Sequence, residues 1–464
     1  MLREAEPGDA PPFKKVLVAN RGEIALRVIR ACRELGIKTV AVYSQCDANS
    51  LHVRFADESV CIGPPQATDS YLKVSNVISA ADITGADAVH PGYGFLAENA
   101  TFAQVVADHG MTFIGPRVEH LGTFGDKLSA KAAARKAGLP LIPGSTGSVA
   151  DVEEAAVVAA EVGYPVMLKA ASGGGGKGMR VVEDEAQLRR VFTLTSTEAK
   201  AAFGSGAVFI ERFLANPRHV EVQVAGDMHG NAVHFFERDC SMQRRHQKVL
   251  EEAPAPGLPP GLAERIRAAA ARLVSSVGYH TVGTCEFLVD GEDFFFLEVN
   301  PRIQVEHPVT ELVTGVDLIQ LQIRLAAGEV MPFTQDEIRC EGHAFEVRIN
   351  AEHPFTFMPS PGQITGYYLP GGPGIRVDSA VHEMAMVQPY YDSLVAKLCC
   401  WAPTREQALA KMQGALHEAV VEGINTTIPL HRELLAHPVL REARMTTKFL
   451  DGWLKQRGTK TRGA

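Results

Sequence analysis

The chain has 464 residues, 46% apolar and 22% charged, which is enough for roughly two to four domains with their own cores. Its 46 Lys and Arg against 54 Asp and Glu give a net charge of −8, without the basic footprint of a dedicated nucleic-acid binder. No apolar run approaches the roughly 20 residues of a membrane span, and the opening MLREAEPGDAPPF lacks the apolar stretch of a signal peptide. No nucleic acid, no membrane and a cytoplasmic location are therefore expected, and cysteines without CxxC spacing speak against both a disulfide framework and a zinc site.

In chain order, residues 1–13 read as a flexible lead-in. Val16 to Asn20 reads as a short buried strand. Glu23 to Leu35 carries Ile24, Leu26, Val28, Ile29 and Leu35 close to helical spacing until Gly36 stops it, and Lys38 to Tyr43 reads as a second strand. This βαβ unit, extended by Ala88 to His90 and Thr112 to Ile114, predicts an open parallel sheet over about the first 125 residues. The lack of GxGxxG argues against a dinucleotide fold. Asp126 is placed to cap a helix from Lys127 to Ala137, closed by Gly138 and Pro140, and a domain boundary is expected just before it.

Beyond it, Tyr164 to Ala170, the glycine tract Ser172 to Gly178 and Met179 to Glu183 predict a hairpin. Strands at Val208 to Phe213 and His219 to Ala225, a helix from Leu262 to Val277, and a strand pair at Thr284 to Val289 and Phe294 to Asn300 complete an α+β body. From about Gly342 the chain mixes short strands, prolines and two closing helices.

Between Glu298 and Glu306 every even position is polar or charged and every odd one apolar. A fully extended chain would place Glu298, Asn300, Arg302, Gln304 and Glu306 on one face. Alternation alone fits a solvent-facing strand better, but amides, a guanidinium and two carboxylates make an odd solubilising face. Glu286 lies across a turn at Asp290, Gly291 and Glu292, and an odd-length loop with Gly291 in the left-handed region would bring it to the side of Glu298. Glu286, Glu298 and Asn300 would then offer hard oxygen ligands for Mg²⁺ or Mn²⁺ beside a nucleotide; the alternative is two exposed carboxylates about a hairpin.

Gly173 to Gly176, followed by Lys177 and Gly178, has the open backbone that closes on phosphates, and equally that of a flexible linker; the Gly after Lys177 excludes a Walker loop. Lys127 and Lys169 each supply a cation, though a lone lysine is more often surface. The run Met242 to Lys248 is the densest basic patch and reads first as a solvated turn. Arg348 alternates with Glu346 and Asn350 on one strand face, where a cross-strand ion pair is the plain reading.

The ordered set ANRGEIALR, HPGYGFLAEN, GDK, ASGGGGKGM, ERDCSMQRRHQK, EEAPAPG, EVNPRIQVEHPVTE, RINAE and PSPG, from about residue 14 to about 455, resembles the biotin carboxylase component of biotin-dependent carboxylases, an ATP-grasp enzyme. The resemblance implies a doubly wound N-terminal domain at 14–125 and an ATP-grasp domain at 126–341 with a glycine-rich lid at about 140–210. A C-terminal mixed β/α domain at 342–455 and a tail at 456–464 would follow. It implies that Lys127, Lys169, Gly175, Gly176, Glu211, Arg212, Phe213, Leu214, His219, Gln243, His246 and Leu288 bind ATP, and that Glu286, Glu298 and Asn300 hold two Mg²⁺ or Mn²⁺ ions. Lys248, Arg302, Gln304 and Val305 would bind bicarbonate, Glu306 would be its general base, and Arg348 would meet the biotin ureido oxygen. Arg212 stands where relatives often carry Lys, and Pro301 where some carry Thr.

The implied reaction is ATP-dependent carboxylation of biotin through carboxyphosphate, the first half-reaction of an acetyl-CoA carboxylase in fatty acid biosynthesis. The resemblance also implies a homodimer. With no Met-Lys-Met biotinylation sequence and no room for a transferase, the biotin carboxyl carrier protein and the carboxyltransferase subunits are expected on other chains. The alternatives are the corresponding component of a propionyl-CoA or pyruvate carboxylase, an ATP-grasp ligase with an amine acceptor, and a non-catalytic nucleotide-binding module.

Overall fold

The structure is a computed structural model that describes residues 11–170, 179–203 and 206–461. The first segment forms a five-stranded parallel sheet. Its order is Glu58–Gly63, Lys38–Ser44, Lys15–Val18, Ala88–His90 and Thr112–Phe113. The central strand Lys15–Val18 is buried at Val16, Leu17 and Val18, as a strand covered on both faces must be. The strand order reverses between Lys15–Val18 and Ala88–His90, which opens a crevice at their carboxyl ends. Asn20 closes its floor, donating through Nδ2 to the carbonyls of Pro91 and Tyr93 at 2.7 Å each.

Asp126 caps the helix Lys127–Lys136 as expected, its side chain accepting from the Ser129 amide at 2.8 Å. The expected hairpin is present as Val166–Ala170 against Met179–Val182, with Val208–Arg212 on the other edge; the glycine tract between the first two lies outside the described residues.

Eight further strands form one antiparallel sheet, and Gly362–Gln363 with Met386–Val387 and Gly366–Tyr368 with Val420–Glu422 form two small two-stranded ladders. The eight-stranded sheet has the order Asp293–Asn300, Thr281–Asp290, Arg218–Gly226, Ala232–Arg244, Gln247–Ala253, His343–Asn350, Leu394–Ala402 and Ile375–Ser379. It runs without a break from the central part of the chain into the C-terminal part, across the pair Gln247–Ala253 and His343–Asn350. One face is sealed by the helix Leu262–Ser276, whose Leu262, Ile266, Ala269, Leu273 and Val274 recur at helical spacing and pack on Val220, Val222 and Val224. The C-terminal part ends in more than the two helices expected: Arg405–Glu418, Ile428–Ala436, the short turn Pro438–Arg441 and Phe449–Thr461.

Candidate active site

The site grows from the sheet face opposite that helix. Along Arg218–Gly226 the valines point to the core, so His219, Glu221 and Gln223 point the other way. Register sets Glu221 opposite Glu286, and Glu286 opposite Glu298, while on its other side Glu221 pairs with Arg238. Glu298, Glu286, Glu221 and Arg238 thus form one row across four strands. Carboxylates directly opposite one another repel, so the row requires cations.

Arg238 is fully buried and donates to Glu221 at 2.6 Å, Gln223 at 2.7 Å, Thr310 at 2.9 Å and Gln304 at 2.7 Å. Lys248 Nζ lies 2.8 Å from Glu286 and 2.6 Å from Glu306, and also donates to Glu221. Glu221 and Arg238 were missed in the sequence, where a Glu between valines in HVEVQVAG looks like the wet side of a strand. The signal available was parity: Glu221 and Gln223 share the face of His219.

Two geometric expectations are corrected. The hairpin loop is not odd-length. Asp290 pairs with Asp293 around the two residues Gly291 and Glu292, with Gly291 at φ 65, and that turn alone would set Glu286 and Glu298 out of register. A β-bulge restores it: Phe287 pairs with Phe296 but Glu286 with Glu298, leaving Leu297 as the extra residue. Nor is Glu298 to Glu306 one extended stretch, because the strand ends at Asn300 and a helix starts at His307. Pro301 donates no ladder hydrogen bond, and the chain turns inward.

Four of the five side chains nevertheless converge, and Glu298 faces Glu286 across the strand pair. Asn300 and Gln304 each donate to Glu286 Oε1 at 2.8 Å, Arg302 Nη2 donates to Asn300 Oδ1 at 3.0 Å, and Glu306 faces Lys248. Arg302 is also held by Glu98, 3.0 Å from its Nε.

The basic run is not a solvated turn as a whole. Met242 and Gln243 are buried in the strand Ala232–Arg244, only Arg245 and His246 turn at positive φ, and Lys248 lies in the returning strand Gln247–Ala253 with a side chain 11% exposed. Arg348 makes the ion pair expected of it, Nε to Glu251 at 2.7 Å, and a second one, Nη2 to Glu306 at 2.9 Å. Lys248, Arg302, Val305 and Arg348 line a cavity of about 530 Å³ whose far wall is Arg21, Tyr93, Tyr390 and Tyr391, four residues not singled out from sequence.

Among the residues expected to meet ATP, Lys169 Nζ lies 2.5 Å from Glu211, which also accepts from Lys131, a cation not singled out in the sequence. Leu214 and Leu288 share an apolar cluster with Ile142 and Phe295, and Arg212 stacks on the Phe295 ring. Phe213 faces Lys448 instead, with Nζ 3.7 Å from its ring centre. Gln243 Nε2 is 3.4 Å from His219 Nδ1, and His246 stands at the exposed tip of its turn. Gly175 and Gly176 lie outside the described residues.

Charge explains the ionisation. Burial pushes the Glu306 carboxyl up, but Lys248, Arg348 and Arg238 outweigh it and hold it well below the usual range. Glu286 is likewise held down by Lys248 and His219 against its burial. Glu298 is pushed up, first by burial and then by Glu286; among the described residues no side chain or amide donates to it. Burial lowers the Lys127 ammonium against the pull of Glu298. A half-buried carboxylate without a donor, one strand from the Glu286 carboxylate and two residues before the Asn300 amide on its own strand, is the donor set that suits a hard divalent ion.

Comparison with known proteins bears on this arrangement. Residues 12–121 match the family model of the biotin carboxylase N-terminal domain, 126–334 that of the carbamoyl-phosphate synthase L chain ATP-binding domain, and 346–452 that of the biotin carboxylase C-terminal domain. The chain is 52% identical over 440 residues to a biotin carboxylase of Pseudomonas aeruginosa, covering 95% of this chain and 98% of that protein. It is 50% identical over 440 residues to a pyruvate carboxylase subunit of Methanothermobacter thermautotrophicus, covering 95% and 90%. Among solved structures it is similar to the biotin carboxylase domain dimer of Hydrogenobacter thermophilus 2-oxoglutarate carboxylase, in complex with MgADP, ADP and bicarbonate. There the TM-score is 0.90 at 48% identity, over 95% of this chain and 97% of that one.

Proposed function

The chain belongs to the biotin carboxylase family of ATP-grasp ligases, and from that membership we propose which residues carry its ATP-dependent biotin carboxylation and what the product serves. The observation that carries the reading is Glu306 held between two cations that line the cavity, Lys248 at 2.6 Å and Arg348 at 2.9 Å. Bicarbonate entering between Arg302 and Lys248 meets a fixed carboxylate, and two like charges about 4 Å apart repel by about 4 kcal/mol at an effective dielectric near 20. The paired cations offset this. As they turn to the substrate they release Glu306, whose basicity rises toward that of an ordinary carboxylate, and it takes the bicarbonate proton.

The activated anion attacks the γ-phosphoryl group of ATP to give carboxyphosphate and ADP. Lys127 and Lys169 bind phosphate oxygens, with Glu211, Arg212, Phe213, Leu214, His219, Gln243, His246, Leu288 and the glycines at 175 and 176 completing the nucleotide site. Glu286, Glu298 and Asn300 would hold two Mg²⁺ or Mn²⁺ ions, whose charge would offset that of the transferring phosphate. Carboxyphosphate yields CO₂ and phosphate, the phosphate takes the proton from biotin N1′, Arg348 stabilises the resulting enolate oxygen, and N1′ attacks the carbon of CO₂ to give carboxybiotin.

Domains are assigned at 14–125, 126–341 and 342–455. The biotin arrives on a separate carrier protein, carboxyltransferase subunits receive the carboxyl group, and the chain acts as a homodimer in the cytoplasm. Among the described residues no helix is long and apolar enough to cross a membrane. Acetyl-CoA, for fatty acid biosynthesis, is the proposed acceptor. Pyruvate is the second reading, favoured by the likeness to a pyruvate carboxylase component.

ATP cleavage by the purified protein is expected to require bicarbonate and Mg²⁺ and to be stimulated by free biotin; cleavage indifferent to both bicarbonate and biotin overturns the assignment. Glu306→Gln is expected to lower the bicarbonate-dependent rate by about 10² to 10⁴ while nucleotide binding, read by calorimetry, persists.

A further inference from the structure

Residues 301–306 belong to neither the strand before them nor the helix after them, yet they place the side chains on which the reaction turns. Gln304 is fixed by Arg238 and Glu286, and Glu306 by Lys248 and Arg348. The residue between, Val305, lines the cavity, and its backbone carbonyl accepts from Lys397 Nζ at 2.9 Å. Lys397 is fully buried in the strand Leu394–Ala402. Its ammonium is balanced by Glu23 at 3.2 Å, from the first helix of the chain, and by Asp378 at 3.6 Å, from the edge strand.

Sheet register supplies the reason for its position. Lys397 is the cross-strand neighbour of Arg348 on one side and of Asp378 on the other. Two adjacent cations of one sheet row therefore grip two consecutive residues: Arg348 holds the Glu306 carboxylate and Lys397 holds the Val305 carbonyl. A buried ammonium costs several kcal/mol to desolvate unless it is paired. Glu23 and Asp378 supply that pairing; Glu23 also lines the cavity, and the bond to Val305 is the contact by which Lys397 holds the backbone of residues 302–306.

We propose that Lys397 is a positioning residue of the carboxylation reaction, fixing the backbone at Val305 so that Arg302, Gln304 and Glu306 meet bicarbonate together. This rests on the reading of residues 302–306 as the bicarbonate site. A wild-type enzyme whose ATP cleavage ignores bicarbonate removes that reading; a bicarbonate-dependent wild type with an indifferent Lys397 removes only this proposal.

The test is steady-state kinetics on the full chain. Lys397→Met is expected to raise the KM for bicarbonate at least about tenfold, the scale of one lost charge-assisted hydrogen bond, with the KM for ATP within twofold of wild type. Asp378→Asn removes a partner of Lys397 but leaves the bond to Val305, and is expected to lower thermal stability while the bicarbonate KM stays within twofold. Should Lys397→Met fail to fold, Lys397→Met with Glu23→Gln removes the orphaned buried carboxylate, and because Glu23 also lines the cavity, the folded double variant is compared with Glu23→Gln alone and is expected to show a bicarbonate KM at least about tenfold above that control. A folded Lys397 variant with the wild-type bicarbonate KM, or Asp378→Asn raising it as far as Lys397→Met does, overturns the proposal.

Discussion

At Glu306 two cations share one carboxylate, and the charges around them continue outward. Arg348 also holds Glu251, which pairs across strands with Glu346; both are fully buried, and Glu251 Oε2 and Glu346 Oε1 have no hydrogen-bond partner. Burial, with Glu306 adding to it despite Arg348, pushes Glu251 up to about 7. Burial pushes Glu346 well above the ordinary carboxyl range despite Lys397. A carboxyl whose folded value is raised holds its proton after the unfolded chain has released it, so it costs stability increasingly as pH rises from about 4.5 toward the folded value. Glu346→Gln, which keeps the shape without the proton, is expected to raise the melting temperature, more at pH 8 than at pH 5. An equal gain at both pH values would show that Glu346 does not titrate in this way.

On the scale of elements, legibility follows how local the cause is. Alternation of valine with polar residues along Arg218–Gly226, the Asp126 cap and the spacing of Leu262, Ile266, Ala269 and Leu273 are set by neighbours in the chain, and they read correctly. The path after Asn300 did not, because it is held by Arg238, Lys397 and Arg348, each from a different distant strand. Glu221 is not singled out in the sequence for a related reason: its burial depends on partners that no local pattern names. The bulge at Leu297 belongs to the same class. It restores the facing of Glu286 and Glu298 that the two-residue turn would spoil, since a one-residue slip sends every side chain to the opposite face. Deleting Leu297 is expected to abolish the Mg²⁺-dependent part of ATP affinity, whereas Leu297→Ala keeps it within a few-fold. Titration calorimetry with and without Mg²⁺ separates the two outcomes.

For the molecule as a whole, buried histidines set an acid limit. His52, His90 and His431 are fully buried, and burial lowers them to about 4, 3 and 4. Because the unfolded chain takes up these protons below about pH 6.5 and the folded chain does not, stability present above that pH is lost as pH falls toward 4, at roughly 2 kcal/mol per histidine by pH 5. Melting curves are expected to shift down between pH 7 and pH 5, and His431→Gln to flatten the slope; an unchanged slope would assign the acid loss to other groups.

The eight-stranded sheet carries a last consequence, for engineering. A cut between residues 341 and 342 would part Gln247–Ala253 from His343–Asn350 and leave two long ladders of bare amides and carbonyls, a template for aggregation. Swapping the nucleotide half of this enzyme for that of another ligase therefore requires a graft that re-zips this seam residue for residue; a linker of convenient length would not do.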